Sequence, residues 1–377
     1  MSEKEGIIRH VLLHGYFMDN LGDDLFFRVI ALRYPKVQFT IPLLNTSYKI
    51  KYADLPNVRV VDFYGIAKYT QHKIYILPKL YSCLTMKRYD AVVCIGGSLF
   101  MDRKNPTEKD IIEIKNYSFI SDWKCAYKKG VPYYVLGANW GPVYNDFFTP
   151  YFTKAFSTLK DICFRDSFSY NMFKSMSNVR QTSDILLNNP IIKKTVENIQ
   201  KKSQVAISVI EVAHKCDAND TCNAYEDKLY EIISHYINME MEVVLLSFCK
   251  AEGDEETIER VYNRLPARLS KVKTLCYPKI GWRGILQSLA ESQLVIASRF
   301  HATVLGWTVG TPVFSLYYSD KTLHLLEDFQ QVDASCSISD IAMLNVNHIE
   351  EAASTPNQLS KCEGWNKAFA KLDEALA

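Results

Sequence analysis

The residues most suggestive of chemistry are Ser298-Arg299-Phe300-His301, which continue the apolar segment Leu294–Ser298. A strand that leads directly into a helix would put Ser298 at the N-cap position, with Arg299 and His301 on the first helical turn. This end of a helix attracts anions through its unpaired N–H groups and its dipole. Basic side chains are unfavourable there unless an anion balances them. The pattern therefore indicates an anion site in which His301 exchanges a proton, and a purely structural histidine is the alternative.

A second arginine, Arg165, stands where the apolar segment Asp161–Phe164 ends. Its planar guanidinium suits bidentate binding of a carboxylate or phosphate, and the alternative is a salt bridge to Asp166. Two other residues follow strands of the second half of the chain. Lys321 would add a positive point charge, and the acidic Glu252 would either cap the next helix or contact a substrate.

Three glycine-bearing loops follow predicted strands in the first half of the chain. Glycine allows the backbone to approach a ligand closely, and loops that follow parallel strands share one edge of a sheet. The candidate ligand-binding residues in these loops are His14, Asn20, Asp23, Asp24, Gly97, Ser98 and Asn139. The alternatives are that each glycine only makes a tight turn, and that the two aspartates only complement the dipole of the helix they open.

Several other chemistries lack their sequence signatures. The chain contains no GxGxxG, GxxxxGK[ST], HExxH or GxSxG motif. Its eight histidines are scattered without metal-ligand spacing, so neither a metal nor a cofactor is expected. The absence of a CxxC pair among ten cysteines, of a secretory signal and of a membrane-spanning apolar stretch predicts a cytoplasmic protein. A net charge of +2 gives no indication of nucleic-acid binding.

Short apolar segments alternate with amphipathic stretches in both halves of the 377-residue chain, which predicts βαβ units with parallel strands. The predicted strands are Arg9–His14, Val37–Ile41, Val58–Phe63, Ala91–Ile95, Tyr133–Leu136, Ile162–Arg165, Val205–Val212, Val243–Phe248, Val272–Tyr277, Leu294–Ser298 and Val313–Tyr317. The predicted helices include Gly22–Tyr34, Glu108–Lys129, Asp146–Leu159, Ala224–Met239, Glu255–Leu265, Trp282–Glu291, Phe300–Val309 and Leu359–Ala377.

The alternation lapses at the turn signal Asn188-Asn189-Pro190 and in the lysine-rich stretch behind it. We therefore predict an N-terminal domain over residues 1–190, a linker over 191–203 and a C-terminal domain over 204–355. The last helix, within 356–377, is expected to cross back to the first domain. Each domain would be a Rossmann-like, doubly wound α/β sheet. Two such domains facing across a cleft would bind ligands at the carboxyl ends of their strands.

The loops, taken in order, resemble the polysaccharide pyruvyl transferase family. The matching segments are Asn20-Leu21-Gly22-Asp23-Asp24 with Gly15 before it, Gly96-Gly97-Ser98, Gly137…Gly141-Pro142, Arg165-Asp166-Ser167, Ser183-Asp184, Ser247-Phe248-Cys249…Glu252-Gly253-Asp254, Ser298-Arg299-Phe300-His301-Ala302, Gly310-Thr311-Pro312-Val313 and Tyr318…Lys321. They extend from about residue 11 to about residue 325. The aspartate at position 24 is a mild departure, because glutamate is expected there as often.

This resemblance implies a GT-B-like pair of Rossmann-type domains. It also implies that the enolpyruvyl group of phosphoenolpyruvate is fixed on a hexose of a surface polysaccharide as a cyclic ketal, with release of phosphate. His301, Arg299 and Arg165 match family positions associated with the donor and are the predicted catalytic residues. Donor binding is further assigned to Ser298, Phe300, Lys321 and Glu252, and acceptor binding to the seven residues of the glycine-bearing loops.

The chain also contains a segment that suits contact with a membrane. If the acceptor sugar is lipid-linked, the enzyme should visit the inner face of the membrane. The basic and aromatic segment Lys68–Arg88 suits such a contact, and a surface helix or loop packed on its own domain is the alternative.

The rival function is a GT-B glycosyltransferase, and the diphosphate of its sugar-nucleotide donor would also bind Arg299. A non-catalytic sugar-binding protein is the third interpretation.

Overall fold

The computed structural model describes residues 9–43, 47–63, 76–108, 111, 118–213, 219–265, 269–354, 359, 362 and 364–377. Clustering of contacts divides the chain into two compact units. The first unit contains the residues up to Tyr16, Phe26–Ser183 and Asn366–Ala377, and the second contains Phe17–Leu25 and Asp184–Trp365.

The first unit is built on a seven-stranded parallel sheet with the order β3-β2-β1-β4-β5-β6-β7. Its strands are β1 His10–His14, β2 Gln38–Leu43, β3 Val58–Asp62, β4 Ala91–Ile95, β5 Tyr133–Ala138, β6 Asp161–Phe164 and β7 Val179–Gln181. Every residue of β4, β5 and β6 is buried. These strands form from nearly continuous apolar runs because helices cover both faces of a parallel sheet.

The helices of this unit are Ser47–Lys51, Ile76–Thr85, Ser118–Lys129, Phe148–Phe156 and Ser167–Phe173, together with the greater part of Leu21–Arg33 and of the C-terminal Gly364–Leu376, whose first residues belong to the second unit. Packed aromatic rings fill the space between β5 and its neighbouring helices, with 4.8 Å between the ring centroids of Trp140 and Phe173. The C-terminal helix is held to this unit by Arg33, whose Nη2 donates to Asp373 at 2.7 Å.

The second unit has a six-stranded parallel sheet with the order β10-β9-β8-β11-β12-β13. Its strands are β8 Gln204–Ser208, β9 Glu242–Ser247, β10 Val272–Cys276, β11 Leu294–Ala297, β12 Val313–Tyr317 and β13 Ser335–Ser337. Its helices are Pro190–Thr195, Asn219–Asn238, Asp254–Tyr262, Tyr277–Glu291, Phe300–Thr308, Asp320–Asp328 and Ile349–Ala353. Both sheets place the carboxyl ends of neighbouring strands along one edge, where such folds bind ligands.

Several boundaries differ from the sequence predictions. The strand predicted over Val205–Val212 ends at Ser208, and the helix predicted from Trp282 begins at Tyr277, because Pro278 opens a first turn that kinks at Gly281 (φ 71°). The short edge strands β7 and β13 were not predicted, since three residues carry too little periodicity.

The stretch predicted to be a linker contains the helix Pro190–Thr195, which Asn189 caps by accepting hydrogen bonds from two backbone N–H groups. Of the helices predicted over Glu108–Lys129 and Leu359–Ala377, the structure describes Ser118–Lys129 and Gly364–Leu376. Residues 109–110, 112–117, 360–361 and 363, which fall within those predictions, lie outside the described part of the chain. Within the described ranges, no helix combines the length and the apolar character needed to cross a membrane.

Candidate active site

In the first unit, polar side chains gather at the carboxyl ends of β4, β5 and β6. Arg165 follows β6 and is buried, and its Nη2 donates to Asn139 Oδ1 at 2.7 Å. Ser98 Oγ donates to the same oxygen at 3.3 Å. The structure thus brings together three of the predicted site residues, which belong to three adjacent strand ends.

The loop after β4 owes its glycine to this cluster. A Cβ atom at Gly97 would lie 2.3 Å from Nη1 of Arg165, which is far closer than atoms can pack. Asp166, the alternative partner that the sequence suggested for Arg165, caps the helix Ser167–Phe173 by accepting from Ser169 N at 2.7 Å. The guanidinium of Arg165 lies at the sheet edge beside Gly97 and Asn139.

His14, at the end of β1, was predicted to contact the acceptor. The structure buries it and places its Nε2 2.9 Å from Oδ2 of the fully buried Asp122, on the helix Ser118–Lys129. No partner for His14 was predicted, although the aspartate directly before Trp123, at the end of an apolar stretch, was a usable signal. This histidine is 4% exposed, so its contact with a sugar would require the surrounding side chains to move.

In the second unit, Arg299 lies between two carboxylates. Its Nε donates to Asp254 Oδ2 at 3.1 Å, its Nη2 contacts the other oxygen of Asp254, and its Nη1 donates to Glu252 Oε2 at 2.5 Å. Both acidic residues follow β9, whereas Arg299 follows β11. Because β8 lies between these two strands in the sheet, the contact extends past the carboxyl end of β8. The prediction left these acids as helix caps or substrate contacts, and the sequence did not indicate that they pair with the arginine.

The charges of this cluster support one another. Attraction by Asp254 and Glu252 outweighs burial and raises the pKa of Arg299, so the guanidinium stays charged. Burial raises the pKa of Asp254, yet the carboxyl accepts from the backbone N–H groups of Phe248 and Cys249 at 3.0 and 2.9 Å in addition to Arg299. This set of donors is that of an ionised carboxylate at neutral pH.

The expected role of Ser298 as a helix cap is wrong. Arg299 occupies the N-cap position of the helix Phe300–Thr308, and no side chain caps it. Ser298 Oγ instead accepts from Tyr225 Oη at 2.8 Å, and Ser208 Oγ accepts from the backbone N–H groups of Ser298 and Arg299. Two of the N–H groups that were expected to face an anion are therefore already bonded inside the unit.

His301 lies on the first turn of the same helix, close to Asp184 and Gly22 of the second unit. Its Nε2 is 3.8 Å from Oδ2 of the buried Asp184. A Cβ atom at Gly22 would lie 1.7 Å from its Nδ1, so only glycine fits at that position. The imidazole thus lies against the backbone of Gly22, with the buried carboxylate of Asp184 nearby.

The loop Phe17–Leu25 was predicted to lie on the acceptor side, with the N-terminal domain. The structure corrects this placement, because the loop belongs to the second unit. Leu21 N donates to Phe248 O at 3.1 Å, and Tyr277 Oη donates to Asp24 Oδ2 at 2.6 Å. The physical reason is that a backbone pair and a buried hydrogen bond fasten the loop to residues after β9 and β10, and sequence order cannot reveal this.

Asn20, Asp23 and Asp24 therefore accompany His301 rather than the Arg165 cluster. Asn20 forms an isolated bridge with Cys249, and its Oδ1 accepts from Gly22 N at 3.1 Å. Burial raises the pKa of the Cys249 thiol to about 12, so this cysteine is no nucleophile at neutral pH.

Two other predicted donor residues take different environments. Phe300 is buried and its ring meets that of His301 edge to face at 5.2 Å, so it packs the helix start. Lys321 is half-buried on the first turn of the helix Asp320–Asp328, after β12 and next to the β11 end that carries Arg299. Over the described ranges, no group of three or more His, Cys, Asp or Glu side chains is arranged to hold a metal ion.

Comparison with known proteins gives one family match and one modest relative. Residues 20–320 match the family described as "Polysaccharide pyruvyl transferase". "Amylovoran biosynthesis protein AmsJ" of Erwinia amylovora is 24% identical over 261 residues, which cover 64% of this chain and 60% of AmsJ. The chain therefore matches about three fifths of the length of that relative.

Solved structures share the architecture at low sequence identity. UDP-GlcNAc 2-epimerase from Methanocaldococcus jannaschii has a TM-score of 0.62 and 12% identity, with 98% of this chain and 99% of that chain covered. Anabaena Alr3699/HepE, solved with UDP-glucose, has a TM-score of 0.57 and 12% identity, with 98% of each chain covered. Acinetobacter baumannii MurG has a TM-score of 0.50 and 14% identity, with coverage of 98% and 99%. Such identities show the fold alone, and they confirm the predicted class of two parallel-sheet α/β domains of the GT-B type.

Proposed function

The chain belongs to the polysaccharide pyruvyl transferase family, and on that premise we propose that it transfers the enolpyruvyl group of phosphoenolpyruvate to a hexose. The acceptor is a surface polysaccharide or its lipid-linked precursor, and the product is a cyclic pyruvate ketal. The observation that carries the proposal is the placement of Arg299 and His301 at the start of one helix, directly after the buried strand β11. The relation to AmsJ supports exopolysaccharide biosynthesis as the setting.

The reaction balances without a further reactant. The methylene carbon of phosphoenolpyruvate gains a proton, which makes C2 cation-like, and a sugar hydroxyl forms a C–O bond there as it loses its proton. The C2–O bond to phosphate then breaks, and a second hydroxyl of the same sugar closes the ketal. Of the two hydroxyl protons, one replaces the proton used at carbon and the other leaves with phosphate. The protein must therefore hold two anionic groups and move protons.

Each unit has a buried arginine that suits an anionic group. Arg299 in the second unit and Arg165 in the first are each buried at the carboxyl edge of a parallel sheet. Hydrogen bonds from such charged, desolvated groups are worth about 1.5–3 kcal/mol each. Lys321, on the first turn of the helix after β12, is a further candidate cation beside Arg299, because β12 is paired with the strand β11 that precedes Arg299.

His301 is the proposed proton donor, either to the methylene carbon or to the leaving phosphate. Its ring is fixed by Gly22 and Asp184, so its two nitrogens have different surroundings. General acid–base help is worth about 10²–10⁴-fold in rate. The variant His301→Ala should therefore lose phosphate release by that factor while keeping its melting temperature, and a near-normal rate would refute this role.

The acceptor is assigned to the first unit, where Ser98 and Asn139 present a hydroxyl and an amide beside Arg165. These groups are able to exchange their mutual hydrogen bonds for hydroxyls of a sugar. Asn20, Asp23 and Asp24 lie in the second unit with His301, which makes them candidates for proton removal close to the donor rather than for acceptor recognition.

The membrane contact proposed for Lys68–Arg88 rests on the part of that segment that the structure describes. Lys68, Tyr69 and Lys73 lie outside the described residues. On the helix Ile76–Thr85, Leu80 and Leu84 are 50% and 72% exposed, and basic residues follow at 87 and 88. Exposed leucines beside basic side chains are typical of a peripheral contact with an anionic membrane surface.

The experiment that tests the proposed function is ligand-induced thermal stabilisation combined with phosphate release. A ligand at about 100 times its Kd stabilises a protein by about 2.7 kcal/mol, which is readily measured. We expect stabilisation by phosphoenolpyruvate and none by UDP-sugars or GDP-sugars, and phosphate release only when an acceptor is added. Stabilisation by a sugar nucleotide alone would favour the glycosyltransferase, whose fold is shared with HepE, a protein solved with UDP-glucose.

A further inference from the structure

The two carboxylates that contact Arg299 differ in exposure. The side chain of Asp254 is fully buried, whereas that of Glu252 is 25% exposed. Asp254 accepts from two backbone N–H groups as well as from the arginine, so it is held in place. Glu252 is the partner that a ligand arriving from solvent meets first.

The backbone at Glu252 is constrained, so the carboxylate would leave Arg299 by rotation of the side chain. Glu252 ends the turn Lys250–Glu252, and Gly253 follows with φ 86°, a left-handed conformation that favours glycine. A Cβ atom at Gly253 would lie 2.8 Å from the Cβ of Glu211, which leaves no room for another residue. A glutamate has three rotatable side-chain bonds, about which its carboxylate can move away from Arg299.

The charges around Arg299 do not favour an anion as they stand. Two carboxylates surround one guanidinium, so the cluster carries a net negative charge when both acids are ionised. A phosphate or carboxylate that approaches Nη1 is repelled by Glu252, which already occupies that nitrogen. Binding of an anionic donor is therefore linked to departure of Glu252.

We propose that Glu252 is a positioning residue that holds Arg299 before the donor arrives and is then exchanged for the donor's anionic group. This inference rests on the proposed function, in which Arg299 binds phosphoenolpyruvate. It also changes the expected role of Glu252 from a donor contact to an internal competitor of the donor. A partly exposed ion pair is weak, so its loss is readily offset by a phosphate that carries about two negative charges.

The test compares Glu252→Gln with wild type, using Glu256→Gln as the matched control. Glu256 is exposed on the next helix and lies four residues away, so the control removes the same charge from the same region. We expect the Kd for phosphoenolpyruvate to fall about fivefold in Glu252→Gln, which corresponds to about 1 kcal/mol, and to stay unchanged in the control. The KM should fall with it, while kcat does not rise. A purely structural glutamate would not tighten binding when it is removed.

The outcomes separate this inference from the proposed function. If wild type binds phosphoenolpyruvate and Glu252→Gln binds it equally or more weakly, the exchange is refuted and the function stands. If neither protein binds phosphoenolpyruvate, the proposed function is refuted. The exchange is then tested with inorganic phosphate, whose Kd should be about fivefold lower for Glu252→Gln than for wild type; an equal or higher Kd would refute the exchange. Glu252→Ala serves as a second variant if the glutamine variant fails to fold.

Discussion

Replacing Arg299 with methionine should sharply destabilise the second unit, independently of any effect on catalysis. Methionine has a similar length and no charge, so the substitution removes the ion pairs and keeps much of the packing. Asp254 would then be a fully buried carboxylate that retains only the N–H groups of Phe248 and Cys249. Removing one partner of a buried pair costs about 3–5 kcal/mol, because the remaining charge is uncompensated.

The expected magnitude is large enough for thermal and urea unfolding. For a unit of about 190 residues, a loss of 1 kcal/mol lowers the melting temperature by about 2–4 °C, so Arg299→Met should lower it by about 6–20 °C. The control is Arg264→Met, whose ion pair with Asp227 is exposed on both sides. That substitution should cost about 0–1 kcal/mol.

A double mutant distinguishes the buried charge from lost packing. Asparagine at position 254 is still able to accept the two backbone hydrogen bonds and needs no counter-charge. Arg299→Met/Asp254→Asn should therefore be more stable than Arg299→Met alone, with a coupling of at least about 2 kcal/mol between the two sites. If Arg299→Met costs less than about 1 kcal/mol, or if the double mutant is no more stable than the single one, the buried ion pair described above is not what stabilises this unit.

Three further predictions concern glycine packing, acid stability and membranes. Gly22→Ala should reduce the rate of phosphate release at least about 100-fold, because its Cβ would occupy the place of the His301 ring, and a rate within tenfold of wild type would contradict the packing. Hydrogen bonds from Ala213 N, Arg260 and Thr257 outweigh burial and lower the pKa of Glu211. Its contribution to stability is therefore present above the unfolded value of about 4.3 and lost as the pH falls through the lower folded value. The difference in melting temperature between wild type and Glu211→Gln should accordingly shrink below about pH 4.3, whereas a constant difference down to pH 3 would refute the shift. Liposomes with anionic lipid should carry the protein in flotation, and Leu80→Ser/Leu84→Ser should release it because both side chains are exposed; equal flotation of the variant would rule out this face.

Most of the architecture follows from local patterns in the sequence. Strands such as β4 and β5 are continuous apolar runs, and a run of that kind, with a helix after it, is already the pattern of a parallel sheet covered on both faces. The glycine-bearing loops and the Ser-Arg-Phe-His segment could also be recognised from the sequence, because each motif consists of a few adjacent residues. Their order along the chain was enough to indicate the family.

The pairs of side chains that meet in the sites could not be predicted from local patterns. Arg299 pairs with acids 45 and 47 residues before it, and His14 pairs with an aspartate on a helix more than 100 residues away. The loop Phe17–Leu25 belongs to the second unit although it lies near the start of the chain. Spacing along the sequence predicts strands and turns because their contacts are local. The partner of a buried charge depends instead on how distant elements pack, and that depends on the three-dimensional arrangement of the whole unit.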